Sequence, residues 1–164
     1  ATEKSEPIYR KYTYHRYRGS LLNLYDITRI STLGVYIGVV TLGVFYVFLQ
    51  VLSLDEARTG IMFLISAFIW FNALNVRKNY DTIFSFNPFT NWYISVGIIL
   101  EALILLGSIY FGAGNMLFTT APLPYQLLLY LLLLATTIFV VDTLFKLGKR
   151  GLHKFGTVYK LMRY

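Results

Sequence analysis

The sequence contains no cysteine, which excludes disulfides, thiolate metal sites and cysteine nucleophiles but leaves the compartment open. Charge is scarce. Of 164 residues 14% are charged and 56% hydrophobic, and a water-soluble globule of that composition would have too little polar surface to cover itself. Acid is scarcer still, with 8 Asp and Glu against 15 Lys and Arg. The histidines, His15 and His153, stand far apart without acidic or second-histidine neighbours at ligand spacing, which argues against a metal or haem site. There is no glycine-rich phosphate loop, serine-nucleophile arrangement, repeat or low-complexity tract. The residues therefore point to no catalytic group, no cofactor and no identified small-molecule substrate.

What remains is apolar length. Cutting the chain at its charges leaves uncharged intervals from Ile30 to Leu54 and from Thr59 to Val76, then a long apolar region from Asn91 to Val141 interrupted by Glu101 and the loop "FGAGNMLFTTAPLP". A helix needs about 20 apolar residues, at about 1.5 Å each, to cross a hydrocarbon core of about 30 Å. Four spans fit, roughly 30–52, 57–76, 91–111 and 124–145. The first lies too far from the amino terminus to resemble a cleaved signal peptide. A start at Ala1 fits removal of an initiator Met, and fits an excised fragment equally well. The expectation is an all-α membrane protein of four helices in two antiparallel hairpins, the first closed by the short loop "LSLDEAR". Asp55 and Glu56 there favour the amino end of the second helix.

The cations cluster on one face. Lys4, Arg10, Lys11, Arg16, Arg18 and Arg29 precede the first span, and Arg77 and Lys78 lie between the second and third. Lys146, Lys149, Arg150, Lys154, Lys160 and Arg163 follow the fourth, and only Arg58 falls on the opposite side. The positive-inside rule then places both termini and the middle loop in the cytoplasm or its equivalent. A membrane surface accounts for the charge, so nucleic acid is not an expected partner.

Residues 1–29 form a basic arm in which Tyr9, Tyr12, Tyr14 and Tyr17 alternate with cations, suited to anionic lipid headgroups or to docking a partner. Residues 146–164 read as a basic amphipathic tail on the membrane surface. Headgroup contacts are expected from Arg10, Lys11, Arg16, Arg18, Lys149, Arg150 and Lys154. Gly34 and Gly38 make a small-xxx-small face for close helix packing, Asn87–Pro88 marks a turn, and "GAGNMLFTTAPLP" reads as a flexible loop. Trp70, Trp92, Tyr93 and Tyr110 read as interface anchors.

The order of several stretches resembles a known family. "TLGVFYVFL" in the first helix, "FNALNVR" ending the second, "NPFTNWY" opening the third, "FTTAPLPYQLLLYLLLL" into the fourth and "VDTLFK" ending it are similar to the carboxyl-terminal transmembrane domain of P-type cation ATPases, in the calcium-pump-like branch. The likeness runs from about residue 29 to 150 and covers the last four of that family's ten membrane helices. The resemblance implies a motor elsewhere, since the family's phosphorylated aspartate in a D-K-T-G motif has no counterpart here, and without it there is no covalent intermediate for ATP hydrolysis. It also implies a cation ligand three residues before the first asparagine of "FNALNVR". That position is Ile69, which offers no oxygen to a hard cation. Asn72 and Asn75 are then expected to cap the helix end or to hydrogen-bond within the bundle.

Glu101 lies about ten residues into the third span, near mid-membrane, where a charge usually faces protein or water. It reads as a proton or cation relay, as an anchor for a partner helix, or as a neutral carboxyl bonded to a neighbouring helix. Asp142, with Lys146 one turn on, reads as an ordinary ion pair. Two functions follow: a non-catalytic subunit or scaffold of a larger membrane complex, in contact with lipid and other membrane subunits, or the carboxyl-terminal membrane portion of an ATP-driven cation transporter.

Overall fold

The computed structural model describes residues 24–76 and 91–148, with side chains in the first helix described from Ile27 onward. The arm with its four headgroup cations, both histidines, the Asn87–Pro88 turn and the tail with Lys149, Arg150 and Lys154 lie outside the described residues. Every long element is helical: α1 Leu24–Val51, α2 Leu54–Asn75, α3 Trp92–Tyr110, a short α4 Gly112–Phe118, and α5 Tyr125–Gly148. α1, α2, α3 and α5 are each long and apolar enough to cross a membrane. α1 starts at Leu24 rather than near residue 30, so at about 1.5 Å per residue its 28 residues reach about 42 Å and overshoot the hydrocarbon core.

Local chemistry sets the ends. At the two-residue turn between α1 and α2, Ser53 Oγ accepts the Glu56 N–H at 3.3 Å while the Glu56 carboxylate accepts the Ser53 N–H at 2.8 Å, a capping box. α5 opens behind Pro124, whose carbonyl accepts from the Leu127 N–H at 3.0 Å and whose fixed φ suits the position. In mid-span α5 is interrupted at Thr136, where the Thr136 N–H donates to the Leu133 carbonyl. The hydroxyls of Thr136 and Thr137 also donate back to the Leu133 and Leu134 carbonyls, a habit of threonine that bends helices.

α2 is the centre of the bundle. Half of its most apolar window is buried inside the protein, against 17% for α1, 17% for α3 and 28% for α5. Phe68, Leu64 and Ala67 are fully enclosed, Tyr36 of α1 stands edge-on to Phe68 at 6.1 Å, and Ile138 of α5 joins the same cluster. Trp70, expected as an interface anchor, is buried in this core, edge-on to Phe63 at 6.0 Å on the same helix. Gly60 lets α1 and α2 close together, since a Cβ there would fall 2.5 Å from Phe48 Cε2. The expected contact at Gly34 and Gly38 is absent from the described bundle: a Cβ at either glycine would meet nothing within 4 Å.

The segment expected to be flexible is instead tied down. α4 folds back on the last turn of α3, and only glycine fits at 114, where a Cβ would lie 2.6 Å from the Ser108 Cα. The Asn115 amide nitrogen donates to the carbonyls of Ser108 at 2.7 Å and Ile109 at 2.8 Å in the last turn of α3, and the Thr120 hydroxyl donates to the Ser108 carbonyl as well. The Thr59 hydroxyl accepts the Ala121 N–H at 2.9 Å, and the Tyr110 hydroxyl donates to the Leu123 carbonyl at 2.7 Å. These bonds fix how α5 re-enters the bundle beside α2.

Candidate functional site

At the end of the bundle where α1 begins and α2 and α5 finish, four polar side chains meet inside protein. Asp142 of α5 is fully enclosed, and its Oδ1 accepts from the Arg29 Nε of α1. Its second oxygen, Oδ2, stands 2.9 Å from Lys146 Nζ, close enough for an ion pair though not aligned as a hydrogen bond. Lys146 Nζ also donates to the backbone carbonyl of Asn75 at 2.9 Å and to Asn75 Oδ1 at 3.2 Å. One carboxylate thus lies between two cations, and one of those cations grips the last residue of α2. Three of the four spans are joined at this point.

The sequence dictates the convergence. Asp142 and Lys146 are one turn apart on α5 and therefore share a face. Lys146 reaches a free carbonyl because the last carbonyls of any helix lack intrahelical partners. Arg29 reaches Asp142 because α1 extends upstream of its apolar run, so a cation counted as flanking is carried on the helix and buried. A buried charge is tolerated only when paired and hydrogen-bonded; each charge of this cluster is paired, while Arg29 Nη2 and Asn75 Nδ2 are enclosed and meet no acceptor among the described residues.

The remaining candidate residues lie elsewhere. Asn72 is half-buried, and its backbone carbonyl accepts the Val76 N–H at 2.9 Å, ending α2; its side-chain Oδ1 is enclosed and meets no donor among the described residues. Ile69 is 53% exposed and faces out of the bundle. Glu101 is exposed on the outward face of α3, apart from the cluster. Sequence reasoning missed Arg29, and the visible signal was its place one residue before the apolar run. It also gave Lys146 a single partner, when the lysine bonds Asn75 as well.

Chemically the cluster is a clamp. Both oxygens of Asp142 face cations, which leaves no free carboxylate edge for a metal ion. Among the described residues no three His, Cys, Asp or Glu side chains gather at metal-binding distance.

A family model described as the carboxyl terminus of cation-transporting ATPases matches residues 1–148. That range is wider than the resemblance read from the motifs, because it takes in the amino-terminal arm. Calcium-transporting ATPase 1 of Saccharomyces cerevisiae is 30% identical over 126 residues, which are 73% of this chain and 13% of that protein. The chain therefore corresponds to about an eighth of its relative.

Proposed function

Because the chain belongs to the cation-transporting ATPase carboxyl-terminal family, we propose that it is the non-catalytic membrane brace of an ATP-driven cation transporter. It is an integral membrane domain whose helices carry no transport ligand of their own and support those that do. The observation that carries this reading is the match of the family model over residues 1–148. The position the family gives to an ion ligand is apolar here and turned away from the polar cluster, so α2 offers a packing surface in its place. The clamp of Arg29, Asp142, Lys146 and Asn75 supports the same reading, since it joins three spans at one end and makes the bundle rigid there.

The motor, with its phosphorylated aspartate, would lie in protein outside these 164 residues, on the same chain or on another. The density of cations at the ends of α1, α2 and α5 supports a cytoplasmic placement of both termini, with Arg10, Lys11, Arg16, Arg18, Lys149, Arg150 and Lys154 against anionic headgroups. A second reading is a subunit that assembles with unrelated membrane proteins and has no motor; the loss of a ligand at Ile69 favours it.

Extraction of the native complex in mild detergent, followed by mass spectrometry, separates the two. The brace is expected to yield peptides of a phosphorylated-aspartate motor in fixed ratio to this chain. Unrelated membrane subunits at fixed stoichiometry would establish the second reading in its place. The missing ligand makes a further expectation: the melting temperature of the purified chain should be the same in millimolar calcium and millimolar magnesium. A calcium-specific rise of several degrees would reveal an ion site and refute the passive role.

A further inference from the structure

At the end of the bundle opposite the clamp, the start of α2 and the end of α4 border a pocket of about 270 Å³ lined by Arg58, Thr59, Met62, Phe118, Thr119 and Thr120. Two of these side chains are committed to the fold. The Thr59 hydroxyl donates to the Asp55 carbonyl and accepts the Ala121 N–H, and the Thr120 hydroxyl donates to the Ser108 carbonyl. Two others are free to bind. Arg58 pairs with Asp55 at 3.7 Å, too long for a hydrogen bond, and none of its five donors meets an acceptor among the described residues. The Thr119 hydroxyl is exposed and has no partner among the described residues either. Thr119 also stands in the left-handed region at φ 53°, which costs a side chain with a Cβ roughly 1–2 kcal/mol, and strain of that kind clusters at ligand-binding positions.

Depth selects the ligand. Arg58 immediately precedes the uncharged run from Thr59 to Val76, which at about 1.5 Å per residue spans about 27 Å, close to a hydrocarbon core of about 30 Å. The guanidinium therefore lies at the edge of the hydrocarbon, where lipid phosphates sit, and Met62, one turn further along α2, lies inside it. On the other wall Met116, Leu117 and Phe118 are 88%, 78% and 61% exposed, on a helix that carries no charge. Such a surface at that level is covered by acyl chains. The site combines charges, a hydroxyl and apolar side chains, as a glycerophospholipid combines headgroup and acyl chains. An apolar helix seated here would leave the Arg58 donors unsatisfied, whereas a phosphate ester satisfies them.

We infer that this pocket binds a phospholipid with an ethanolamine headgroup, drawn from the leaflet opposite the clamp. Arg58 and the Thr119 hydroxyl donate to the phosphate, Asp55 accepts from the ammonium, and an acyl chain lies over Met62 and Phe118. Guanidinium suits phosphate because its planar fork gives two parallel N–H bonds. Asp55 dictates the zwitterion. Asp55 and Glu56 outnumber Arg58 at this turn, so an anionic headgroup would set a net negative ligand against a net negative site. A choline nitrogen bears no N–H and cannot hydrogen-bond the carboxylate.

The test uses the full 164-residue chain in detergent, titrated with ethanolamine and choline phospholipids of identical acyl chains and read by native mass spectrometry. The chain is expected to take up one ethanolamine lipid at least about threefold more tightly than the choline lipid. Arg58→Gln should weaken that lipid roughly three- to thirtyfold, and Asp55→Asn should abolish the preference for ethanolamine. Uptake of an anionic glycerol phospholipid should be the same in the parent and in Arg58→Gln. Both side chains are more than half exposed, so both variants should melt within about 4 °C of the parent. Glycerophosphoethanolamine, the headgroup without acyl chains, should not compete; competition equal to the lipid's would make the ligand a soluble phosphate ester and overturn the lipid assignment. In the native membrane the absence of cysteine from the chain lets Phe118→Cys carry a single photoreactive label, which is expected to crosslink an ethanolamine phospholipid. A crosslink to a polypeptide overturns the inference. So does equal uptake of the two zwitterionic lipids, or a preference that Arg58→Gln and Asp55→Asn leave unchanged.

Discussion

Replacing Asp142 by leucine is expected to cost about 3–5 kcal/mol, because it leaves two cations buried without their anion. Leucine keeps the branched outline of aspartate, but its methyl groups are bulkier than carboxylate oxygens, so some overpacking adds to the electrostatic loss. Arg29 is then left without the Oδ1 that its Nε bonds, and of its described partners Lys146 keeps only the two Asn75 oxygens. At about 2–4 °C per kcal/mol for a chain of this size, the melt in mild detergent, followed by tryptophan fluorescence, should fall by roughly 6–20 °C. Removing all three charges together tests the cause. Arg29→Met and Lys146→Met added to Asp142→Leu should bring the melt back near that of the parent, since a well-packed apolar replacement of a buried ion cluster is commonly neutral or stabilising. The exposed pair of Arg58 and Asp55, 3.7 Å apart with both side chains more than half exposed, is the control, because such pairs contribute about 0–1 kcal/mol. A leucine variant that melts within about 2 °C of the parent would mean that water reaches the clamp and that it does not hold the helices.

The spans were legible because a bilayer imposes a length and an apolar composition on whatever crosses it, and the four long helices fall close to the four uncharged runs. The capping box is only half legible: Glu56 marks the amino end of α2 by its charge, and Ser53 three residues earlier completes S-x-x-E. What could not be read was which helix the others surround. All four spans qualify as membrane crossings by length and composition, and that test alone does not tell α2, half of whose window is buried, from α3, most of which is not. Trp70 shows the consequence. As an aromatic near a helix end it has the composition of an interface anchor, yet it is buried in the core because its helix is the enclosed one.

The candidate site divides along the same line. The pairing of Asp142 with Lys146 is local, fixed by helical spacing, and readable. Arg29 lies 113 positions away from Asp142, and no periodicity links them. Cutting the sequence at its charges placed Arg29 before the first span, although a cation with a buried carboxylate to meet does not end a helix. The order of α4 was hidden for a related reason. Gly112 and Gly114 lower helix propensity, and it takes the fit of Gly114 against α3 and the Asn115 amide on the Ser108 and Ile109 carbonyls to fold it.

Phe68→Ala is the second change expected to act strongly, and its size should reflect the solvent. Phe68 is fully buried on the central helix, with Tyr36 edge-on to it at 6.1 Å and an interplanar angle of 80°. In a water-soluble core such a truncation costs about 3–5 kcal/mol, of which one part is lost transfer from water and the other the cavity left behind. A bilayer removes much of the first part, because hydrocarbon is as apolar as the core and helices associate in it mainly by packing. The cavity part remains, so about 1–3 kcal/mol is expected, or a melt lower by roughly 2–12 °C. The same change should loosen α1 from α5 as well as from α2. The Tyr36 hydroxyl reaches Thr137 Oγ1, whose own proton is given to the Leu134 carbonyl, so tyrosine must be the donor. Once Tyr36 tips into the space left by Phe68, that bond is lost. A Phe68→Leu variant fills most of the cavity and keeps Tyr36 upright, and it should recover most of the stability. If leucine and alanine at 68 melt alike, packing against Tyr36 is not what joins α1 to the rest of the bundle, and the clamp at Arg29 and the contact of Phe48 with Gly60 must hold it.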